Sequence, residues 1–173
     1  MTEDPCRCAQ RSRRWMHMES TRDDPNGNSL TPGQCWDKLR DGGYGRLAVT
    51  TADGPDIFPI NGVVDHGTIL FRTREGTKLI ALRDDHRAAY EIDGYDPASD
   101  HAWSVVVRGY ASEVTAMHES LAAVELGVTP WQPGPKPIFV RINPHSVTGR
   151  WFERADRAEW QVTGVPVHRS PIE

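Results

Sequence analysis

The chain has 173 residues, with 20 Lys and Arg against 24 Asp and Glu for a net charge of −4; 38% of it is hydrophobic and 25% charged. That length suits one domain with a single core, and the modest apolar share leaves part of the chain to tails. The charge balance gives no reason to expect nucleic acid or anionic lipid as a partner, no apolar run reaches the roughly 18 residues that span a bilayer, and the N-terminus lacks the apolar centre of a secretory signal.

Residues 1–29 read as a disordered N-terminal tail, in which Pro5, Pro25, Asn26 and Gly27 interrupt mixed charges without periodicity. Met16 or Met18 offers an alternative start, and Arg11, Arg13 and Arg14 read as part of a solvated tail, the alternative being a basic arm for an acidic partner. Cys6 and Cys8 have no second pair to complete a zinc site. With Cys35 they are too few and too irregular for a disulfide framework, so free thiols and a cytoplasmic location are expected.

The ordered domain is expected over residues 30–152, with 153–173 as a C-terminal extension. It opens on TPGQ, a capping box in which Thr31 caps, Pro32 takes the first helical position and Gln34 reaches back. Cys35, Trp36 and Leu39 give that helix its apolar face, and Gly42-Gly43 ends it. Strands follow: Arg46 to Thr51, stopped at Asp53-Gly54; Ile57 to Asp65, closed at His66-Gly67; and Thr68 to Thr73. Pro59 inside the second strand suits an edge, a bulge or a backbone facing a ligand, because it has no N–H for a ladder.

A short helix is predicted from Thr77 to Asp84 and a fourth strand from Ala88 to Asp93, then a polar loop GYDPASDH. A long strand from Trp103 to Thr115 bends at Gly109. Another short helix covers His118 to Leu126, and the proline-rich stretch around Trp131 is a loop. Ile138 to Ile142 is a strand that Ser146 to Phe152 either extends or follows. Six or so short antiparallel strands interrupted by small helices make a mainly β protein: a compact barrel with helices packed outside.

The junction FRTREGTKL, residues 71–79, carries the chemistry. Arg72, Thr73 and Arg74 end a strand, Gly76 turns the chain, and Thr77 and Lys78 open a helix whose first N–H groups point outward with partial positive charge. Hydroxyls, cations and free amides at one point make a seat for phosphate; the competing reading is a capped helix with its charges in water. Histidines 17, 66, 86, 101, 118, 145 and 168 show no metal-ligand spacing, so no metal is expected. Asp84, Asp85, Asp93, Asp96 and Asp100 read as loop acids, and the chain holds no G-x-S-x-G, P-loop or G-x-G-x-x-G.

The order GRLAV, PIFPING..VD.GTILFRT..GTKL, YEID, WSVVVRGYASEV and IFVRINPHSVTGR resembles the pyridoxamine 5′-phosphate oxidase-like family, in particular its nitroimidazole-resistance branch, over about residues 31 to 152. The resemblance implies a split β-barrel and a homodimer with FMN in a groove at the interface. Arg72, Thr73, Thr77 and Lys78 would contact the FMN phosphate. The backbone of Phe58, Pro59, Ile60 and Asn61 would line the isoalloxazine ring, with Trp103 and Ser104 close by. The histidine and arginine cluster that binds substrate phosphate in true pyridoxamine phosphate oxidases has no counterpart near the C-terminus, where Arg150, Trp151 and Arg154 stand in a different context. Vitamin B6 oxidation is therefore not expected. The resemblance implies hydride transfer between reduced nicotinamide, flavin and a small acceptor, with no catalytic residue named. The alternatives are a deazaflavin cofactor, whose acidic tail would draw on Arg74, Arg83 and Arg87, and a non-enzymatic flavin- or haem-binding protein.

Overall fold

A computed structural model of the protein describes residues 28–115 and 134–153. Helix α1 spans Pro32–Asp41 and opens as its sequence demands: the Thr31 hydroxyl accepts from the Gln34 N–H at 3.3 Å, and the Gln34 side chain accepts from the Thr31 N–H at 2.8 Å. Strands β1 (Tyr44–Thr51), β2 (Gly54–Asp65) and β3 (Thr68–Thr73) follow as a meander. Helix α2 (Thr77–Asp84) leads to β4 (Arg87–Asp96), β5 (His101–Glu113) and β6 (Ile138–Glu153). All neighbours are antiparallel, and the sheet closes in the order β1-β2-β3-β6-β5-β4. This is a mainly β barrel with short helices, as expected.

Several elements are longer than the sequence suggests. Strand β4 runs on through Gly94, Tyr95 and Asp96 because these pair with Trp103, Ala102 and His101, so the expected eight-residue loop narrows to Pro97–Asp100. The Asp96 carboxylate closes that turn by accepting from the Ala98 N–H and the Ser99 hydroxyl. Strand β6 is a single strand across Asn143-Pro144, since β5 pairs with it on both sides of that dipeptide. The register slips between Arg108 and Gly109, the bend read from the sequence, and Gly109 faces Pro144 there. The helix expected over His118 to Leu126, the loop around Trp131, the arm of Arg11, Arg13 and Arg14, and Arg154 lie outside the described residues. Asn28 and Ser29 are joined to β6: the Trp151 N–H donates to the Asn28 carbonyl at 2.9 Å, and Ser29 bridges to Arg150.

The core fills the barrel with Leu47, Val49, Ile69, Phe71, Tyr90, Ile92, Val105, Val107, Val140 and Ile142, all buried. The helices close its two ends. At one, Cys35 of α1 packs where Gly149 leaves room, and Lys38 lies 4.8 Å from the Trp103 ring. At the other, Leu79 and Leu82 of α2 line one cavity with Ala111 and Val140. Trp103 and Ala111 are eight positions apart on β5, about 26 Å of extended strand. A second, smaller cluster sits outside the barrel wall, where Leu70 and Phe139 are buried against Val63 and Val114. That is why Leu70, on the opposite strand face from Ile69 and Phe71, is nevertheless fully covered.

The ring is incomplete along β2. It pairs with β1 over Gly54–Asn61 but with β3 only over Gly62–Asp65, so among the described residues one edge of Gly54–Ile60 has no ladder partner. The bulge gives a direct test of the closure. A Cβ on Gly109 would stand 2.2 Å from the Asn143 carbonyl oxygen, a backbone atom that cannot step aside. Gly109→Ala is expected to lower stability by about 1–3 kcal/mol, read from a urea unfolding curve.

Candidate functional site

The turn from β3 into α2 is made by Gly76, at φ 151° and ψ −178°, backbone that side chains other than hydrogen rarely allow. Gly76 is also the residue capping α2, and no side chain bonds the helix start. The Gly76 carbonyl accepts from Leu79 and Ile80 at 3.0 and 3.1 Å. The N–H groups of Thr77 and Lys78 have no acceptor among the described residues. They precede an eight-residue helix, so their partial positive charge is reinforced by the helix dipole. Thr77 is exposed and its hydroxyl caps nothing.

Lys78 is the residue that departs from the capped-helix reading. It is half-buried, with its ammonium 5.7 Å from the centre of the Phe58 ring and 5.8 Å from that of Phe71. These rings come from β2 and β3 at the barrel mouth, so the cation rests on two aromatic faces. No carboxylate pairs with it among the described residues. Burial, and then the like charge of Lys136, push its pKa down to about 8. Nearby acids are engaged elsewhere: Arg83 holds Glu75 through two bonds of 2.9 Å and Glu113 at 2.6 Å, and Arg87 binds Asp85 at 2.7 Å. A half-buried ammonium, two free amides and a hydroxyl on one turn form a donor set that fits a phosphate group.

The remaining residues expected at a cofactor are distributed as follows. Phe58 lies under Lys78, Ile60 is buried in the core, and Pro59 is exposed between them. Asn61 turns its side chain toward Gly43, whose Cβ would stand 3.5 Å from Asn61 Oδ1. Thr73 is buried, 4% exposed, and its hydroxyl donates to the Arg74 carbonyl at 3.3 Å. Arg72 points to the outer wall: its Nε donates to the Lys136 carbonyl at 2.9 Å and its guanidinium lies 5.0 Å from the Phe139 ring. Trp103 lies against Gly94 and under Lys38 at the α1 end of the barrel. Ser104, its neighbour on β5, takes the opposite strand face. Lys136, which the sequence reading did not single out, lies two residues ahead of the strand that pairs with β3 and adds a like charge near Lys78. No group of metal-ligating side chains occurs among the described residues, and no helix there is long and apolar enough to cross a membrane.

The lowered pKa has a sign that can be measured. Between about pH 8 and the ordinary lysine value of 10.5, the folded chain binds fewer protons at Lys78 than the unfolded chain does. Stability from this group is therefore fully present above that ordinary value and is lost as pH falls through the folded pKa. The unfolding free energy of the wild type, less that of Lys78→Met, is expected to rise with pH across this window; a flat difference in paired denaturant curves would show an ordinary solvated lysine.

The family model described as pyridoxamine 5′-phosphate oxidase matches residues 31–151. A structure titled "Putative pyridoxamine 5'-phosphate oxidase" from Corynebacterium glutamicum is 38% identical, covers 73% of this chain and 98% of its own, and superposes with a TM-score of 0.67. The FAD binding protein from Mycobacterium smegmatis is 36% identical over 72% of this chain and 98% of its own, with a TM-score of 0.59. A protein from Bacteroides thetaiotaomicron titled "putative 5-nitroimidazole antibiotic resistance protein" shares the fold, with 14% identity, 71% of this chain and 86% of its own covered, and a TM-score of 0.60. With its closed six-stranded barrel and a match spanning both helices and all six strands, the chain belongs to the pyridoxamine 5′-phosphate oxidase-like family of flavin-binding split barrels.

Proposed function

We propose that the protein is an oxidoreductase that holds FMN with its phosphate at the start of α2. The observation that carries this reading is Lys78: a half-buried ammonium on two aromatic rings which, among the described residues, has no carboxylate partner and stands beside two amides without acceptors. A bound anion supplies the charge that this site lacks. The amides of Thr77 and Lys78 and the Thr77 hydroxyl orient the phosphate, while Phe58 and the unpaired edge of β2 give the ring apolar cover and backbone partners. Bound FMN would supply hydride exchange between reduced nicotinamide and a small acceptor; the chain's part is to bind, orient and shield it.

The groove is shared in this reading. Trp103 lies beside Lys38 of α1 and Lys78 beside Phe58 at the start of α2, and in this reading a second copy sets its Trp103 or Ser104 against the flavin. The deazaflavin alternative draws on Arg74, Arg83 and Arg87, but Arg83 and Arg87 are occupied by Glu75, Glu113 and Asp85, which leaves Arg74. FAD is the second reading to test, because the 36%-identical Mycobacterium smegmatis protein is named as binding it.

The experiment is an absorbance and fluorescence titration with FMN beside FAD, deazaflavin and haem, followed by a screen for oxidation of reduced nicotinamide. Saturable FMN binding is expected, and Lys78→Ala should weaken it by about ten- to over a hundredfold, the loss of one charge-assisted contact. Unchanged affinity in that variant would place the phosphate elsewhere. The protein is also expected to run as a dimer at micromolar concentration in light scattering; a monomer that holds FMN tightly would rule out the shared groove.

A further inference from the structure

We propose that the α2 seat takes its phosphate together with a proton, received by the Lys78 amine, so that the protein holds FMN at neutral pH and releases it as the solution turns alkaline. This rests on the reading of that seat as a phosphate site. The surroundings of the amine set it up. Its Nζ lies 5.7 Å from the centre of the Phe58 ring and 5.8 Å from that of Phe71, on strands β2 and β3. Phe71 is fully buried, so the barrel side of the amine is apolar. Among the described residues no carboxylate pairs with it. The N–H groups of Thr77 and Lys78, without acceptors among the described residues, mark the side from which an anion approaches.

The charged groups around Lys78 do not stand in for that anion. Glu75 on the turn and Glu113 on β5 are both held by Arg83. Asp56, two residues from Phe58 on the same face of β2, accepts from the Ile57 N–H at 2.7 Å. Asp85, just past α2, is held by Arg87. Arg74 is exposed, and Lys136, from the segment ahead of β6, adds a like charge. An amine partly withdrawn from water favours its neutral form; here burial, and then the charge of Lys136, lower its pKa to about 8. A phosphate dianion against the amine favours the charged form and raises that value. Below about pH 8 the amine is already charged and FMN affinity is independent of pH. Above it, each FMN that binds brings one proton from solvent to Lys78, and affinity falls by about tenfold per pH unit until the raised pKa is passed. The phosphate itself stays a dianion above roughly pH 7 and adds no slope there.

Calorimetric titrations with FMN and with riboflavin at about pH 9, each in two buffers of different ionisation enthalpy, count the protons taken up. The wild type should take up close to one proton per FMN and none per riboflavin, which has the same ring and no phosphate. Lys78→Arg, which stays charged, should still bind FMN, with no uptake and a flat affinity between about pH 7 and about pH 9, where the wild type weakens about tenfold. FMN binding without uptake in the wild type, equal uptake with riboflavin, or uptake that persists in Lys78→Arg would overturn the coupling while leaving an FMN protein. NMR titration of the wild-type Lys78 side chain, in inorganic phosphate against chloride at equal ionic strength, reads the same coupling without a variant. Phosphate should raise the Lys78 pKa, and an unmoved titration would overturn the proposal. Failure of the wild type to bind FMN would remove the proposed function, and the phosphate titration would still decide the coupling.

Discussion

The antiparallel ladder between β5 and β6 is the constraint on which the molecule depends. It pairs every residue from His101 to Glu113, broken only by the slip at Gly109. Both helices use it: α1 packs at its Trp103–Trp151 end, α2 at its Ala111–Val140 end. The remaining strands close the barrel against it through shorter ladders, three pairs between β1 and β4 and four between β2 and β3. A long central ladder with brief closures gives a rigid wall and a split at the mouth. The split is where Phe58, Phe71 and Lys78 meet.

The charges around that mouth are sorted. Arginines on the far side of α2 take the acids, with Arg83 between Glu75 and Glu113 and Arg87 on Asp85. These exposed pairs add little to stability in water. Their effect is to keep these carboxylates away from Lys78 at the helix start. A cation partly withdrawn from water and left without an acid is a more specific signal than a cation count. On this surface it separates Lys78 from Arg74, which is simply exposed.

Much of the fold was legible because local chemistry and tertiary structure agree. Thr31 and Gln34 write the start of α1, Gly109 writes the bulge, and the glycine at 76 writes the turn into α2. Strand ends were less legible: Gly94, Tyr95 and Asp96 look like loop and become strand because β5 lies beside them. Asn143-Pro144 looks like a break and is carried through by the same partner. At the site, Thr77 and Lys78 could be read from their place after a glycine turn. Sequence spacing did not reveal that Thr73 is buried, that Trp103 and Ser104 face opposite ways, or that Arg72 turns outward to hold the carbonyl of residue 136. Those facts arise from which face of the closed barrel each position occupies, and from a partner 64 residues away.

The unpaired edge of β2 has a consequence for solubility. A bare strand edge recruits other strands and seeds aggregation. Here Pro55 and Pro59, four residues apart, fall on the same side of the strand and deprive it of two ladder donors. Asp56, also exposed, adds a charge between them. With those three residues in place, the open edge resists extension by a stray polypeptide.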